Sequence, residues 1–273
     1  MPESFTKGQQ IAQLQGKPLK CFGPQHPFAR YGESGQSICT LFPKIGAHAD
    51  KLCIVRSMHT SEINHDPAHT MMNTGSGLSG RPSMGSWSTF GLGAETQNLP
   101  GYVVMHARSK FPEQSLFNRL WGTGFMPSEH QGVLLRSEGD PVLYLKNPAG
   151  VTGRDRRAQL DTLAAINLAH YKQFADPEIL ARIQQHELAY RMQTSVPELT
   201  DLSDEPDSVF ERYGPDSRTP GTFAANCLLA RRLAEKGVRF IQLMHAGWDQ
   251  HNNIPTQLKI QCVDTDQPSA ALV

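Results

Sequence analysis

Three histidines lie close together at positions 59, 65 and 69 of the chain. Asn64 stands directly before His65, and the pair Asp66-Pro67 is typical of a helix cap followed by a proline in the first helical turn. The N–H groups at a helix start point outward, carry the positive end of the helix dipole and favour anions. The sequence therefore predicts that His59, His65 and His69 lie beside an anion-binding helix start.

A second group of polar side chains follows an apolar run near the end of the chain. Val238–Met244 is typical of a buried strand, and His245, Asp249 and His251 come directly after it. A carboxylate and an imidazole at the carboxyl end of a strand are ligands that divalent metal ions prefer. The sequence therefore predicts that Asp249 and His251 are metal ligands.

Both groups also have an ordinary structural interpretation. A histidine near a helix start often satisfies its ring nitrogens with backbone carbonyls, and an Asp after a strand often caps a turn. Three histidines beside Asn64 and Asp66 favour a site over that interpretation. For Asp249 and His251 the two interpretations remain open.

Apolar runs and helical periods predict the elements that hold these residues. Short runs rich in Val, Ile and Leu predict strands at Leu52–Met58, Tyr102–His106, Val133–Leu135, Val142–Leu145 and Val238–Met244. Helical patterns predict helices at Pro67–Asn73, Met84–Phe90, Arg154–Phe174, Pro177–Gln193 and Thr222–Lys236, and residues 194–221 are predicted to be a loop.

Alternating strands and helices of this kind predict an α/β fold, with an open and mostly parallel sheet between helices. The first strand precedes the histidines at 59–69, and the last strand precedes Asp249. Sites in such folds gather at the carboxyl ends of the strands. We therefore expect His65 and His69 to lie within about 10 Å of Asp249 and His251, as in a two-metal site.

Composition excludes several classes of function. The 273 residues carry 26 Lys and Arg against 26 Asp and Glu, so no net charge favours nucleic acid. No apolar stretch is long enough to span a membrane. The five cysteines include no C-x-x-C pair, which argues against a thiolate zinc site.

Three motifs of known enzyme classes are incomplete in this chain. The glycines of Gly75–Gly80 follow a predicted helix instead of a strand, which excludes a dinucleotide-binding turn. His186-Glu187 lacks the second histidine of a metalloprotease helix. A G-x-S-x-G serine-hydrolase turn is also missing from the sequence.

The chain resembles the bacterial domain-of-unknown-function family 1501, which is placed with the sulfatases in the alkaline-phosphatase superfamily. The resemblance covers essentially the whole chain. It is carried by the motifs HTSEINHDPAH (59–69), MNTG (72–75), GRPSMGSW (80–87), GAETQNLP (93–100), GVRFIQL (237–243) and HAGWDQH (245–251). It implies an alkaline-phosphatase-like fold over residues 1–273.

The resemblance also implies where a sulfatase nucleophile would stand. The sulfatase signature Cys/Ser-x-Pro-Ser-Arg is followed by Thr-Gly, and counting back from Thr74-Gly75 places His65 at the Cys/Ser position and His69 at the Arg position. The chain thus departs from the sulfatase pattern at the nucleophile. A histidine there would ligate a metal, bind the anion or attack phosphorus through nitrogen.

The resemblance implies a metal-dependent hydrolase of phosphate or sulfate esters. Asp249 and His251 would hold a divalent ion (Zn, Ca, Mg or Mn), His65 and His69 would act in catalysis, and Asn64 and His59 would support anion binding. It also implies export to the periplasm. A rival interpretation is a non-catalytic metal- or anion-binding protein that keeps the fold, which the loss of the Cys/Ser nucleophile favours.

We also expect the chain to be a fragment, and therefore inactive or nearly so. Ala270–Val273 ends on apolar residues without a cap, and relatives carry an Asp-Gly-Gly motif before this region and a Gly-Gly-Glu-Phe-Gly-Arg segment after it. The domain would then be truncated at both ends and its sheet would be incomplete.

Overall fold

The computed structural model describes residues 7–8, 23–108, 110–111 and 115–273. The strands in these ranges are β1 Phe28–Tyr31, β2 Gln36–Cys39, β3 Tyr102–Ala107, β4 Val133–Leu135 and β5 Phe240–His245. The helices are α1 Pro43–Gly46, α2 His65–Thr74, α3 Met84–Leu92, α4 Gly153–Phe174, α5 Pro177–Thr200, α6 Asp207–Tyr213, α7 Phe223–Glu235 and α8 Ile254–Leu272.

A three-stranded parallel sheet forms the centre, in the order β4, β3, β5. Strand β3 pairs with β5 over its whole length, from Tyr102 opposite Phe240 to Ala107 opposite His245. Strands β1 and β2 form a separate antiparallel hairpin. The predicted α/β class with a parallel sheet between helices is confirmed, although the sheet is small.

The side chains of β3 alternate between two apolar layers because successive residues of a strand point to opposite faces. Val103 and Met105 pack in the layer that contains Leu199 of α5 and Leu233 of α7. Tyr102 and Val104 pack in the other layer, with Trp121, Leu120 and Phe240. The sheet is therefore covered on both faces, as its continuous apolar sequence indicated.

Polar side chains cap the starts of helices α4 and α7. Thr152 and Asp155 form a reciprocal capping box at the start of α4. Thr222 accepts a hydrogen bond from the N–H of Ala225 at the start of α7. These caps agree with predicted starts to within a residue.

Two of the predicted strands are wrong. The Leu52–Met58 run forms no strand, and it exposes Val55 and Met58 to solvent at 59% and 74%. Val142–Leu145 forms a turn, in which Tyr144 has a φ of 58°. A strand needs a neighbour for its backbone groups, and apolar composition alone does not supply one.

The predicted loop at residues 194–221 is also wrong in part. Helix α5 continues to Thr200, and α6 follows soon after. Val196 and Leu199 are fully buried against the sheet, and their burial stabilises the helical conformation around Pro197. Tertiary packing thus outweighs the local preference of proline to end a helix.

None of the helices in the described ranges is both long enough and apolar enough to cross a bilayer.

Replacing Leu233 by Ala tests the layer between the sheet, α5 and α7. Leu233 is fully buried, so the cavity should lower the free energy of unfolding by roughly 2–5 kcal/mol. Urea unfolding followed by circular dichroism measures this. Leu78→Ala is the matched control because Leu78 is 80% exposed and should change stability by less than about 0.5 kcal/mol. Equal effects at both positions would contradict the assigned core.

Candidate metal and anion site

The two histidine-containing segments meet in the folded chain. The Nε2 atom of His65, at the start of α2, lies 2.9 Å from Oδ2 of Asp249, in the segment after β5. The predicted proximity of these two segments is confirmed. The structure therefore joins residues far apart in sequence into one cluster.

The same carboxylate oxygen of Asp249 also contacts His251. Its Oδ2 lies 2.7 Å from Nε2 of His251, and the three candidate ligand atoms lie within 4.8 Å of one another. The side chain of Asp249 is 28% exposed, against 48% for His65 and 76% for His251. The cluster therefore opens to solvent on the side of His251.

This donor set fits a divalent metal ion. Two ligand atoms about 2.1 Å from a tetrahedral ion lie about 3.4 Å apart. The contacts of Asp249 with His65 and His251 need to open by about 0.5 Å and about 0.7 Å to reach that spacing. Three protein ligands also leave a fourth position for water or substrate.

Helix α2 starts earlier than the sequence indicated. Asn64 is its N-cap, so His65 is the first helical residue and Asp66, which was predicted to be the cap, lies within the first turn. Asp66 instead forms an ion pair with Arg119. Because Leu52–Met58 is not a strand, His65 does not lie at a strand-to-helix turn. The positive end of the helix dipole nevertheless lies at the cluster.

His69 lies one helical turn after His65, with the ring centres 6.1 Å apart. Burial lowers the pKa of His69 below its ordinary value, and the neighbouring His65 lowers it further. His69 is therefore neutral at pH 7, and a neutral imidazole accepts a proton.

A cavity of about 480 Å³ begins at this cluster and runs along the carboxyl end of β5. The described residues that line it come from α2, from the segment before Trp121 and from β5 with the turn after it. They are His65, His69, Met72, Asn73, Leu116, Leu120, Gln242, Leu243, Met244, His245, Ala246, Gly247, Trp248 and Asp249.

A buried polar chain holds the turn that carries Asp249. His245 Nε2 contacts Asp264 of α8 at 2.8 Å, and both side chains are only 6% exposed. The indole N–H of Trp248 donates to His245 Nδ1 at 2.9 Å. Because an indole only donates, Nδ1 must accept and Nε2 must carry the proton that Asp264 accepts. This arrangement fixes both the tautomer of His245 and the position of Trp248.

Lys110 completes the chain, with Nζ 2.6 Å from the other carboxylate oxygen of Asp264. Burial alone would raise the pKa of Asp264, but the hydrogen bonds from His245 and Lys110 outweigh burial and lower that pKa. Asp264 is therefore ionised at neutral pH and compensated by Lys110.

A second polar chain attaches α2 to the sheet. The hydroxyl of Tyr102 donates to the side-chain oxygen of Gln242, whose amide nitrogen donates to Asn73. Asn73 in turn donates to the backbone carbonyl of His69 at 2.8 Å. Burial raises the pKa of Tyr102 to about 12, so its hydroxyl keeps the proton that it donates.

The structure brings some of the predicted site residues together and leaves others apart. His65, Asp249 and His251 form the cluster, and His69 lies beside it in the cavity wall. Asn64 and His59 are exposed and do not belong to the cavity lining. Their role in anion binding stays a prediction.

The partners of His245 were not predicted from the sequence. Asp264 lies in the polar stretch Asp264-Thr265-Asp266-Gln267 of α8, and nothing in this stretch singles it out as the partner of a histidine. Gln242 was hidden inside a strand-like apolar run. Neither position indicates by itself which residue it contacts.

The comparison with protein families bears on the whole chain. The model of the family described as "Protein of unknown function (DUF1501)" matches residues 2–273. The chain belongs to this family. The resemblance that the histidine motifs carried is thereby confirmed for DUF1501 itself. No curated protein and no solved structure matches this DUF1501 chain.

Asp264→Asn tests the buried chain behind Trp248. The folded-state pKa of Asp264 is below its ordinary value of 3.8, so the carboxylate stabilises the fold above that pH and stops doing so as the pH falls through the folded value. The substitution should cost about 1–3 kcal/mol of unfolding free energy at pH 6. The loss should shrink towards pH 3. Urea unfolding at both pH values measures it.

Asp207→Asn is the control for that measurement. Asp207 also pairs with an arginine, Arg218, but its side chain is 87% exposed. Its loss should cost less than about 1 kcal/mol at either pH. A pH-independent loss for Asp264→Asn, or no loss at all, would contradict the assigned ionic role.

Proposed function

We propose that this protein is a metal-dependent hydrolase of phosphate or sulfate esters. The observation that carries the proposal is the meeting of His65, Asp249 and His251 beside the start of α2. The cluster offers ligands for a cation, and the helix start offers N–H groups for the anionic ester. The resemblance of the histidine motif to the sulfatase signature supports the same reaction class.

In this proposal His65, Asp249 and His251 hold the metal ion. Two imidazoles with one carboxylate favour zinc over calcium or magnesium, which prefer all-oxygen sites. When bound, the ion polarises the ester oxygens and stabilises negative charge on the oxygen that leaves. Because His65 lies beside Asp249, its position favours the role of a metal ligand over that of a nucleophile.

His69 is the proposed general base. Its imidazole is neutral at pH 7 and lies in the cavity wall one turn from His65. It would take a proton from water while the water oxygen bonds to phosphorus or sulfur. The bond from that atom to the ester oxygen would then break. The departing oxygen would take a proton from solvent water, and His69 would return its proton to solvent.

The alternative is a non-catalytic protein that binds a metal or an anion. The chain has a histidine where sulfatases have Cys or Ser, and this departure favours the alternative. The hydrolase proposal requires both metal binding and turnover, whereas the alternative requires binding of a metal or an anion without turnover. Measuring metal binding and hydrolysis on the same sample therefore separates them.

Replacing Asp249 by Asn tests the cluster. The variant should bind zinc more weakly by at least the roughly 10- to 100-fold that loss of a supporting residue costs, because Asp249 is the central donor. Hydrolysis of p-nitrophenyl phosphate and p-nitrophenyl sulfate should fall with it. Isothermal titration calorimetry and absorbance assays give the two values.

Asp207→Asn is again the control, and it should keep both properties because Asp207 lies on α6 and outside the cavity lining. If the full-length wild-type protein binds zinc but hydrolyses neither ester, the binding-protein alternative is correct. If Asp249→Asn binds zinc as tightly as the wild type, the cluster is not the metal site.

A further inference from the structure

The cavity beside the cluster has a polar end and an apolar body. The polar end consists of His65, His69 and Asp249. The apolar side chains of the body are Met72, Leu116, Leu120, Met244 and Trp248. Lysine and arginine are absent from the described residues that line the cavity.

The two amide side chains in the cavity wall are already hydrogen-bonded. Gln242 accepts from Tyr102 and donates to Asn73, which donates to the carbonyl of His69. Each amide oxygen therefore has a donor and each amide nitrogen has an acceptor. At this wall a ligand hydroxyl would meet only the second N–H or lone pair that each amide keeps. Burying further hydroxyls without a hydrogen bond is unfavourable.

Both ring nitrogens of His245 are likewise hydrogen-bonded. Its Nε2 is bonded to Asp264, and its Nδ1 accepts from Trp248. The same bond holds the indole of Trp248 in place as part of the cavity wall. Polar recognition in this cavity is therefore concentrated at His65, His69 and Asp249.

The body of the cavity suits a flat aromatic ring. Trp248 offers an aromatic surface, and the thioethers of Met72 and Met244 make favourable contacts with ring edges. A volume of about 480 Å³ is within the range of small-molecule sites. Sugars and nucleotides would bring several hydroxyl or charged groups to a wall whose two amides are already hydrogen-bonded and whose described lining residues include no lysine or arginine.

We infer that the organic part of the ester is an uncharged aromatic group that binds in this apolar body, with the phosphate or sulfate at the His65–Asp249 end. This inference rests on the proposed function, because that function places the anionic end at the cluster. It adds the class of substrate: aryl phosphates or aryl sulfates instead of sugar phosphates or nucleotides.

Binding of 2-naphthol tests the inference without requiring hydrolysis or metal. This alcohol has the aromatic part of the ester and lacks the anion. The wild-type protein should bind 2-naphthol and show no detectable binding of glucose at the same concentration, as measured by titration calorimetry. Glucose binding at least as tight as naphthol binding, or no naphthol binding, would overturn the inference.

Met72→Gln locates the bound ring. Met72 is 72% exposed at the cavity mouth, so a polar side chain of similar length leaves the fold intact. Met72→Gln should weaken 2-naphthol binding by roughly fivefold to tenfold, whereas Met72→Leu should bind 2-naphthol about as tightly as the wild type. Leu78→Gln is the matched control at an exposed position outside the lining and should have no effect. Unchanged affinity in Met72→Gln would also overturn the inference.

Failure of the inference and failure of the proposed function give different results. Naphthol binding without hydrolysis of naphthyl phosphate or naphthyl sulfate would support the aromatic site and contradict the hydrolase. Hydrolysis of glucose 6-phosphate in preference to naphthyl phosphate would support the hydrolase and contradict the aromatic site.

Discussion

The side-chain amide of Gln242 connects the parts of the molecule that form the site. It extends from β5 towards α2, accepts from Tyr102 of β3 and donates to Asn73 of α2. Strand β5 leads directly into the segment with Asp249, and α2 begins with His65. The bond between Gln242 and Asn73 therefore sets how closely the two histidine-containing segments approach. A half-buried amide pair is directional, and apolar packing alone would leave this register less well defined.

A second constraint acts on the turn after β5. Trp248 is bonded to His245, and His245 to Asp264, whose other oxygen pairs with Lys110. Removing these charges from water is unfavourable, and the hydrogen bonds and the ion pair of this chain compensate for that cost. Its structural consequence is a fixed wall at Trp248, next to the carboxylate of Asp249. The same hydrogen-bonded chain thus positions both the candidate metal ligand Asp249 and the Trp248 wall of the cavity.

The sequence predicted the centre of the fold because burial leaves a local signature. Val103 to Met105 form a continuous apolar run, and a strand covered on both faces requires such a run. The proximity of His65 to Asp249 was predicted from the general rule that sites gather at one edge of a parallel sheet. That rule succeeded although the strand expected before His65 does not form. Helix α2 is held at the site by the hydrogen bond between Asn73 and Gln242 instead.

Other features had no local signature. The run Leu52–Met58 has strand composition, but a strand exists only where a neighbour pairs with it. The hydrogen bonds of Gln242 and Asp264 join residues far apart in sequence, and their residue types are ordinary for a strand and a helix. Asn64 and His59 are close to His65 in sequence, yet neither lines the cavity in the folded chain. Side-chain direction follows from the helix boundary, which sequence defines only to within a few residues.

Anomalous diffraction from crystals grown with zinc tests the central claim most directly, because it locates the ion. The account predicts one strong peak at the zinc edge, about 2.0–2.2 Å from His65 Nε2, Asp249 Oδ2 and His251 Nε2. The contacts of Asp249 with both imidazoles should lengthen around the ion. A map without a peak at this position, with Asp249 still hydrogen-bonded to both histidines, would contradict the account.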